Sequence, residues 1–523
     1  MLDILIINGA VYDGSAKPPQ KTNIGIKDNK IYLLKNSAPS SKKIINAENK
    51  CVAPGFIDIH SHSDETYLLN PKAESKIRQG ITTEVTGNCG TSPFPILRDY
   101  FSNFKKSVKT EYSSDIINWQ TAEEFFDIIK KNKLGINAAF LTGHGNLRRS
   151  LNFDTPGKLT KSDLAKLVKL LEESLSSGSY GLSTGLAYFP SGFANTQEIV
   201  ELAKTVKKYD GLYSTHIRNE QDKVIESVDE AILTGLLSGA KTQISHHKAG
   251  LKENWGKVNI TLDNIERARK KGVFVHCDQY PYTACSTSLD IILPKKYSMT
   301  HRQALLKLLS NKDNFNKIAR QLDEHHKGDF DNVLISSVIN IKDRQFVGKF
   351  LPDIAKDINI TSSQSVLKLL LSNQCYVSAI FFTMCEKDIE TVMSAPFTAI
   401  CSDSTARAPY GILSKNKPHP RSYGAFAKVL SHYSKKKVID IWEAIRKMTS
   451  LPAYIMGFKN RGLIAEGYKA DIVIFDKNKI KDTATYENPH SYAEGIEYVI
   501  LNGKTVINKG KHTGILSCEI LRK

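Results

Sequence analysis

Six residues of the types that bind metal ions stand at the ends of apolar segments. His60 and His62 are separated by one residue in an extended run, so their side chains project from the same face of a strand. Four further donors each close a separate apolar segment: Cys89, His216, His246 and Asp403. Imidazole and thiolate suit Zn²⁺, and a nearby carboxylate can either bind metal or accept a proton from a water that the metal activates. The spacing of these residue types therefore predicts a metal centre.

The donors can meet only if the segments that carry them are neighbouring strands. Eight apolar runs have the length and residue types of strands: 55–62, 83–89, 137–144, 180–187, 211–218, 241–248, 273–282 and 398–404. Segments with a helical period of 3.6 residues lie between several of them, for example 121–132, 161–178 and 196–210. This alternation is typical of an α/β protein with a TIM-like (β/α)₈ barrel, in which the C-terminal ends of the strands share one rim. We therefore expect the six donors to converge on that rim.

Short β-rich runs crowd both ends of the chain. They alternate apolar and polar residues and break at Asn-Gly or Asp-Asn turns, which is typical of antiparallel hairpins. We predict a small composite β-sandwich built from residues 1–54 and 460–523, next to a catalytic barrel of residues 55–459. A lysine- and glutamine-rich segment at about 290–390 interrupts the barrel before its last strand. We expect a mainly helical insertion there, at the strand ends where a lid would sit.

The composition is that of a globular protein with a large core. The chain has 523 residues, of which 41% are hydrophobic and 24% are charged. Its formal net charge is +18, but the lysines are spread along helix-like segments and form no basic stripe with interleaved aromatic residues. We therefore expect no nucleic-acid partner, although the positive excess favours anionic substrates. The eight cysteines include no CxxC pair, so a disulfide framework is not expected.

The sequence also predicts that the protein has no membrane partner. No apolar run approaches the ~20 residues that span a bilayer. Asp3 and an Asn-Gly turn interrupt the first residues too early for the apolar segment of a secretory signal. We therefore expect a cytoplasmic protein, whose oligomeric state the sequence leaves open.

Several longer stretches resemble one known family. The approach to the first histidine pair reads APGFIDIHSH at 53–62, and the other stretches are GITTEVTGNCGTSPFP, GLSTGLAYFPSGFANTQEIVELA, YSTHIRNE, QISHHK, YPYTACSTSL, ICSDS, HPRSYGAFAKVL and MTSLPAYIMGFKNRGLIAEGYKADIVIFD. Together they cover nearly the whole chain and resemble the N-acyl-D-amino-acid deacylases, or D-aminoacylases, of the amidohydrolase superfamily. The resemblance implies a metal-bearing barrel with a composite β-sandwich. It also implies zinc-dependent hydrolysis of N-acyl-D-amino acids to a carboxylate and a free D-amino acid.

The resemblance implies a role for each metal donor. Cys89, His216 and His246 would hold one tight zinc ion. His60, His62 and Asp403 would form a second, weaker metal position, and Cys89 takes the bridging role that a carboxylated lysine has in many relatives. Asp403 would also accept the proton of the attacking water and return it to the leaving amine. His247 would point to the opposite face of its strand, so we interpret it as structural.

The small-molecule substrate that this function implies carries an α-carboxylate, which needs fixed cations and donors. Arg421 is the best candidate, because a guanidinium can form a bidentate pair with a carboxylate. Lys248 and Tyr282 would complete the binding site. Ser288 and His144 lie in family-like stretches, but their spacing assigns them no role.

Three alternatives remain beside this interpretation. The first is a cyclic-amide hydrolase of the same superfamily, acting on hydantoins or dihydropyrimidines. Enzymes of that kind usually carry the lysine bridge. The second is a non-catalytic scaffold, which the presence of every expected donor disfavours. The third, nucleic-acid binding, depends on net charge alone and predicts steep salt-dependent retention on DNA. The preferred acyl group and amino-acid side chain stay open, because loops build the pockets that select them.

Overall fold

The computed structural model of the protein describes residues 1–35 and 37–523. The strands are β1 Leu2–Ile7, β2 Ala10–Val11, β3 Gln20–Lys21, β4 Ile24–Lys27, β5 Lys30–Leu33, β6 Ser41–Asn46, β7 Cys51–Pro54, β8 Phe56–Asp58, β9 Ile81–Thr86, β10 Asn137–Phe140, β11 Thr142–Gly143, β12 Gly181–Gly185, β13 Leu212–His216, β14 Lys241–Ile244, β15 Val275–Gln279, β16 Cys285–Ser288, β17 Val333–Val338, β18 Val377–Phe381, β19 Thr398–Ile400, β20 Ile472–Phe475, β21 Ile496–Leu501, β22 Lys504–Asn508 and β23 Lys511–His512. The α-helices are α1 Thr66–Leu69, α2 Glu74–Ile77, α3 Asp99–Tyr112, α4 Ala122–Asn132, α5 His144–Ser150, α6 Lys161–Ser176, α7 Thr196–Lys208, α8 Val224–Ser238, α9 Val258–Lys270, α10 Lys295–Ser298, α11 Arg302–Ser310, α12 Lys312–His326, α13 Leu351–Asp357, α14 Ser362–Ser372, α15 Glu386–Ser394, α16 Arg421–Lys428, α17 Ile441–Met448 and α18 Ser450–Met456.

Parallel strands at the centre of the chain lead to the predicted metal donors. They form two arcs, β8-β9-β10 and β11-β12-β13-β14-β15-β19, and β10 and β11 are separated only by Leu141. The first and last of these strands are adjacent, because residues beyond their ends pair in parallel at Ser61 and Ser404. His62 N donates to Ser404 O at 3.1 Å, and Asp403 N donates to His60 O at 2.9 Å. The predicted alternation of eight strands with helices is thus confirmed, and its two ends meet at the predicted metal donors.

Among the helices that separate these strands, α4, α6 and α7 are amphipathic and have side-chain caps at their N-termini. In α4, Thr121 and Glu124 form a reciprocal capping box. In α7, the Asn195 side chain accepts from Glu198 N. The buried face of α7 follows the helical period through Ile199, Leu202, Ala203 and Val206, and it packs toward the strands. The outer layer of helices therefore holds the strand ends at fixed positions.

Strands from both ends of the chain form two further sheets. One has the order β5-β4-β1-β6, and the other has the order β23-β22-β21-β20-β7-β2-β3. Isoleucines of the first sheet, such as Ile4 and Ile26, share a buried cluster with Ile472 and Ile500 of the second. The second sheet joins N-terminal to C-terminal segments directly, since β7 pairs with β20.

The segment between β15 and β19 builds its own core. Helices α10–α14 pack on a three-stranded antiparallel sheet with the order β16-β18-β17. Leu305, Leu322, Leu367 and Ile335 are buried in this core. The sheet was not predicted from the sequence, where the segment reads as mainly helical. Its strands form part of the wall of the cavity described below.

The cysteines and the lengths of the helices bear on two further expectations. All eight cysteines are free thiols, as their spacing predicted. Among the residues described, no helix is both long enough and apolar enough to cross a membrane.

Candidate metal centre

The six predicted donors come from five strands or from the residues just beyond them. Only His216 lies within its strand, as the last residue of β13. The others follow strands that end two to four residues earlier, because β8 ends at Asp58, β9 at Thr86, β14 at Ile244 and β19 at Ile400. The sequence patterns had extended these strands to the donors themselves. The donors lie instead on the turns that leave the rim.

Three of those turns place a donor in the left-handed backbone region. The φ angles are 53° at Cys89, 36° at His246 and 48° at Asp403. A non-glycine residue rarely adopts a positive φ, and such residues cluster at functional sites where the surroundings enforce them. The local strain therefore supports a function for these turns, and it explains why strand periodicity could not place the three side chains.

The donor atoms lie close together. Cys89 Sγ is 3.4 Å from His60 Nε2, 3.4 Å from His246 Nε2 and 3.8 Å from His216 Nδ1. One ligand atom from each of His60, Cys89, His246 and Asp403 lies within 4.8 Å of the other three. The structure thus brings the predicted thiolate and imidazole donors around one point.

Asp403 connects this cluster to the second histidine of the pair. Its Oδ1 lies 3.1 Å from His62 Nε2 and 3.5 Å from His60 Nε2. On its other side, Oδ2 lies 2.8 Å from Nη1 of Arg421. All six donors are therefore linked, and the carboxylate lies at the boundary between the histidines and a buried cation.

Two acidic residues that the sequence did not single out contact the imidazoles. Asp278, on β15, lies 3.3 Å from His60 Nδ1 and accepts the backbone N–H of His246 at 2.7 Å. Glu220 lies 3.0 Å from His246 Nδ1 and 3.8 Å from His216 Nε2. Such carboxylates fix the orientation of metal-binding imidazoles. The signal for Asp278 was an acid inside an apolar strand, and the signal for Glu220 was its position four residues after a predicted ligand.

Burial disfavours the charged forms of the cysteine and histidine side chains in the cluster, but their opposite charges stabilise one another. Burial raises the pKa of the Cys89 thiol, but the imidazoles of His60 and His246 outweigh burial and hold that pKa well below its usual range. Burial lowers the pKa of His62, but contacts with Asp403 and Cys89 raise it to about 9. The cluster therefore favours a thiolate, which is the form of cysteine that binds metals.

A buried lysine fixes the turn that carries Asp403. Lys76 Nζ contacts Asp58 Oδ2 at 2.9 Å and donates to the backbone O of Ser404 at 2.9 Å. Asp58 Oδ1 in turn accepts the backbone N–H of Ser402 at 2.9 Å. The residues on both sides of Asp403 are thus tied to one fully buried ion pair, which determines where its carboxylate points.

Arg421 is the predicted substrate-binding residue that lies closest to Asp403. It begins α16, is buried, and donates from Nη2 to the backbone O of Ser286 at 3.3 Å. Its guanidinium carbon lies 4.5 Å from the centre of the Tyr280 ring. Tyr280 was not predicted, whereas Tyr282 was.

Of the other predicted substrate contacts, Lys248 is engaged within the protein, whereas the Tyr282 hydroxyl is buried and has no hydrogen-bond partner among the described residues. Lys248 Nζ lies 2.5 Å from Glu220 Oε1 and 2.8 Å from His246 Nδ1. The Tyr282 ring lies 4.1 Å from Lys428 Nζ and edge-on to His419. Ser288 ends β16 and pairs with β18. Lys248 therefore lies beside the predicted metal donors, and Tyr282 lies against α16.

Two further histidines lie outside the cluster. His247 contacts Thr261 Oγ1 through its Nε2 at 2.8 Å, and its structural role stays a prediction. His144 contacts Glu198 and Ser191, at 2.9 and 3.0 Å, in a separate buried network.

A cavity of about 220 Å³ opens onto Asp403, His62 and Arg421. Its walls are the end of α3, the insertion strands and the loop that precedes α16. This volume is smaller than the ~300–1,000 Å³ of pockets for drug-sized ligands. The cavity therefore suits a small substrate.

Comparisons with known proteins agree with this geometry. The model of the amidohydrolase family matches residues 43–258 and 412–507. The chain is 32% identical to the N-acyl-D-glutamate deacylase of Alcaligenes xylosoxydans xylosoxydans, over 97% of its own length and 93% of that protein. It is 30% identical to the D-aminoacylase of the same organism, over 100% of its own length and 98% of that protein. A crystal structure of N-acyl-D-glutamate deacylase from Bordetella bronchiseptica contains zinc and a phosphonate mimic of the tetrahedral intermediate. It matches with a TM-score of 0.85 and 30% identity, over 100% of both chains. These relatives support a divalent metal at the cluster.

Proposed function

Because the chain belongs to the D-aminoacylase family of amidohydrolases, hydrolases that act on linear amides, we propose that it hydrolyses N-acyl-D-amino acids and that its metal is zinc. The observation that carries the proposal is the cluster of Cys89, His60, His246 and Asp403, whose ligand atoms all lie within 4.8 Å of one another. The products are a carboxylate and a free D-amino acid.

The donor set fits zinc. Thiolate and imidazole favour Zn²⁺, whereas Mg²⁺ and Ca²⁺ prefer oxygen ligands. Six residues would hold metal: Cys89, His216 and His246 the principal ion, and His60, His62 and Asp403 a second, weaker one. When bound, zinc polarises the amide carbonyl and lowers the pKa of water. Asp278 and Glu220 keep the imidazoles oriented for this purpose.

Asp403 is the proposed general base and general acid. Its carboxylate lies between His62 Nε2 at 3.1 Å and Arg421 Nη1 at 2.8 Å, on the boundary of the cavity. From there it accepts the proton of the attacking water and then gives that proton to the departing amine nitrogen. The buried pair of Lys76 and Asp58 prevents the turn from moving away during this cycle.

Arg421 is the proposed partner of the substrate α-carboxylate. It is buried at the inner end of the cavity, and the Tyr280 ring and the backbone O of Ser286 limit its rotation. Selection of the D form requires three fixed points, which are the acyl carbonyl, the α-carboxylate and the side chain. If the substrate had the L configuration, either its carboxylate would leave Arg421 or its side chain would meet the wall.

Lys248, Tyr282 and Ser288 remain predictions as substrate contacts. The ammonium of Lys248 is held by the Glu220 carboxylate and by the backbone O of His246, to which it donates at 2.9 Å. In that position it adds positive charge near the metal donors, and it reaches a substrate carboxylate only by giving up one of these contacts. We therefore place Arg421 first among the four.

The test is release of free amine from paired N-acetyl-D- and N-acetyl-L-amino acids, with metal content measured on the same sample. Hydantoin and dihydrouracil are included, because cyclic-amide hydrolysis is the alternative that the sequence left open. We expect turnover of D substrates only, and zinc in the active protein. Arg421→Ala should lower kcat/KM for the carboxylate substrate more than for its carboxamide. Equal turnover of D and L forms, or turnover of the cyclic amides alone, would refute the proposal.

A further inference from the structure

His144 lies in a buried hydrogen-bond network outside the cluster of predicted metal donors. It is the first residue of α5 and is fully buried. Its Nε2 lies 2.9 Å from Glu198 Oε1, and its Nδ1 lies 3.0 Å from Ser191 Oγ. A carboxylate can only accept, so Nε2 carries the proton and Nδ1 accepts from the Ser191 hydroxyl. This imidazole therefore links the start of α5 to α7 and to the 3₁₀ helix Ser191–Phe193.

The charge of Glu198 is already balanced without the histidine. Arg148 Nη1 lies 2.5 and 2.7 Å from the two carboxylate oxygens of Glu198. Burial lowers the pKa of His144, and the contact with Glu198 opposes this effect only in part, so the imidazole is neutral. His144 is thus a hydrogen-bonding link with one donor and one acceptor at fixed positions, rather than a counter-ion.

The first turn of α5 holds the chain directly after Cys89. Gly145 N donates to Gly90 O at 2.9 Å. Asn146 makes a reciprocal pair with the backbone of Ser92, since its Oδ1 accepts from Ser92 N at 3.1 Å and its Nδ2 donates to Ser92 O at 2.7 Å. The residues on either side of His144 in space, the helix start and the turn after Cys89, therefore move together.

The packing around this turn leaves no room for adjustment. A β-carbon at Gly145 would lie 2.8 Å from Gly90 O. One at Gly90 would lie 2.6 Å from Gly185 N and 3.2 Å from the hydroxyl of Ser191, the partner of His144. The φ angles of Cys89 and Gly90 are 53° and 76°, and a non-glycine residue such as Cys89 keeps this conformation only when its surroundings enforce it. Both α5 and Ser191 therefore help to enforce the backbone that directs the thiolate.

We propose that His144 is a positioning residue of the metal centre, which acts through α5 and Ser191 on the turn of Cys89. The inference depends on the proposed function, because Cys89 must be a metal ligand. With the network intact, the turn holds Cys89 Sγ 3.4 Å from Nε2 of both His60 and His246. Without the imidazole, the helix start and Ser191 lose their common partner, and the thiolate is no longer preorganised for the metal.

The first test measures zinc affinity by competition with a chelator. His144→Leu removes both hydrogen bonds, whereas His144→Gln is the conservative variant, because its amide can donate to Glu198 and accept from Ser191. His276→Leu is the matched control, since His276 is also a buried imidazole but contacts Arg269. We expect ~10- to 100-fold weaker binding for His144→Leu, and values within about threefold of wild type for the other two.

The second test uses Co²⁺ in place of zinc, at saturating metal. The charge-transfer absorption of a cobalt–thiolate bond reports on Cys89 itself, and a general loss of stability does not change it. We expect a weaker or shifted band in His144→Leu and a wild-type band in His144→Gln and in the control. If His144→Leu does not fold, Ser191→Ala replaces it, because this variant removes one of the two contacts and should change the band in the same direction.

The outcomes separate this inference from the proposed function. If the wild type binds zinc and the band of His144→Leu, or of Ser191→Ala in its place, equals that of the wild type, the inference fails while the function stands. If the wild type binds neither zinc nor cobalt, the proposed metal centre fails, and the inference fails with it.

Discussion

Replacing Glu220 by glutamine should weaken metal binding although Glu220 is not one of the proposed ligands. Its carboxylate lies 3.0 Å from His246 Nδ1 and 3.8 Å from His216 Nε2, so it contacts two of the three residues proposed for the principal ion. It also lies 2.5 Å from Lys248 Nζ. Glutamine keeps the shape but replaces one oxygen with an NH₂ group that faces donors. Loss of such an orienting contact typically lowers metal affinity by ~10- to 100-fold, which is about 1.4–2.8 kcal/mol.

The measurement is a zinc dissociation constant from competition with a chelator of known affinity. Glu226→Gln is the matched control, because Glu226 is an exposed acid in the first turn of the following helix, α8. Thermal unfolding of the metal-free variants separates a loss of affinity from a loss of fold, since Lys248 loses a partner as well. A Glu220→Gln protein that binds zinc as tightly as the wild type would refute the assignment of Glu220 as the group that orients the imidazoles.

Three further predictions concern the ligands, the proton transfer and the pH dependence of stability. Cys89→Ala should remove the tightly bound zinc, measured by elemental analysis, and a variant with full zinc and activity would exclude Cys89 from the ligand set. Asp403→Asn should keep the fold and lose ~10²–10⁴-fold in kcat, because an amide cannot cycle a proton; a kcat within threefold of wild type would contradict its role. Burial and the neighbouring Arg269 lower the pKa of His276 to about 3, so this imidazole stays neutral in the folded state while the unfolded chain takes up a proton below pH ~6.5. Stability should therefore fall by ~1.4 kcal/mol per pH unit between pH 6 and pH 4 on account of this group, and His276→Gln should flatten the thermal midpoint against pH; parallel curves for the two proteins would contradict it.

The strand pattern was predictable because the parallel strands are buried on both faces. Runs such as 137–144 and 273–282 are rich in apolar residues, and they contain β10 and β15, which are buried throughout. The HxH spacing of His60 and His62 and the single cysteine at the end of its run, Cys89, then identified candidate donors, although the sequence gives no distances between their side chains. Strand ends of a parallel sheet meet at one edge, so the convergence of the donors followed from topology.

The contacts among side chains were not predictable in the same way. Lys248 was assigned to the substrate because it lies two residues after His246, and an alternating strand would place both on one face. The strand ends at Ile244, however, and the backbone of His246 is left-handed, so the ammonium turns to Glu220. Likewise, strands β16–β18 escaped prediction because they lie between helical segments and become a sheet only through long-range pairing. Such positions depend on tertiary contacts rather than on local periodicity.

The guanidinium of Arg421 takes part in both functions proposed for the site, which are proton transfer by Asp403 and binding of the substrate α-carboxylate. Burial raises the pKa of Asp403, but Arg421 and then His246 outweigh it and hold that pKa well below its usual range. Arg421 is also the proposed partner of the substrate α-carboxylate. A substrate carboxylate that shares the guanidinium weakens the stabilisation of the Asp403 carboxylate, and so increases its affinity for a proton at the stage when the water must be deprotonated. Binding energy from a group remote from the amide would then be used in the proton transfer, and a substrate without that carboxylate would lose kcat as well as affinity.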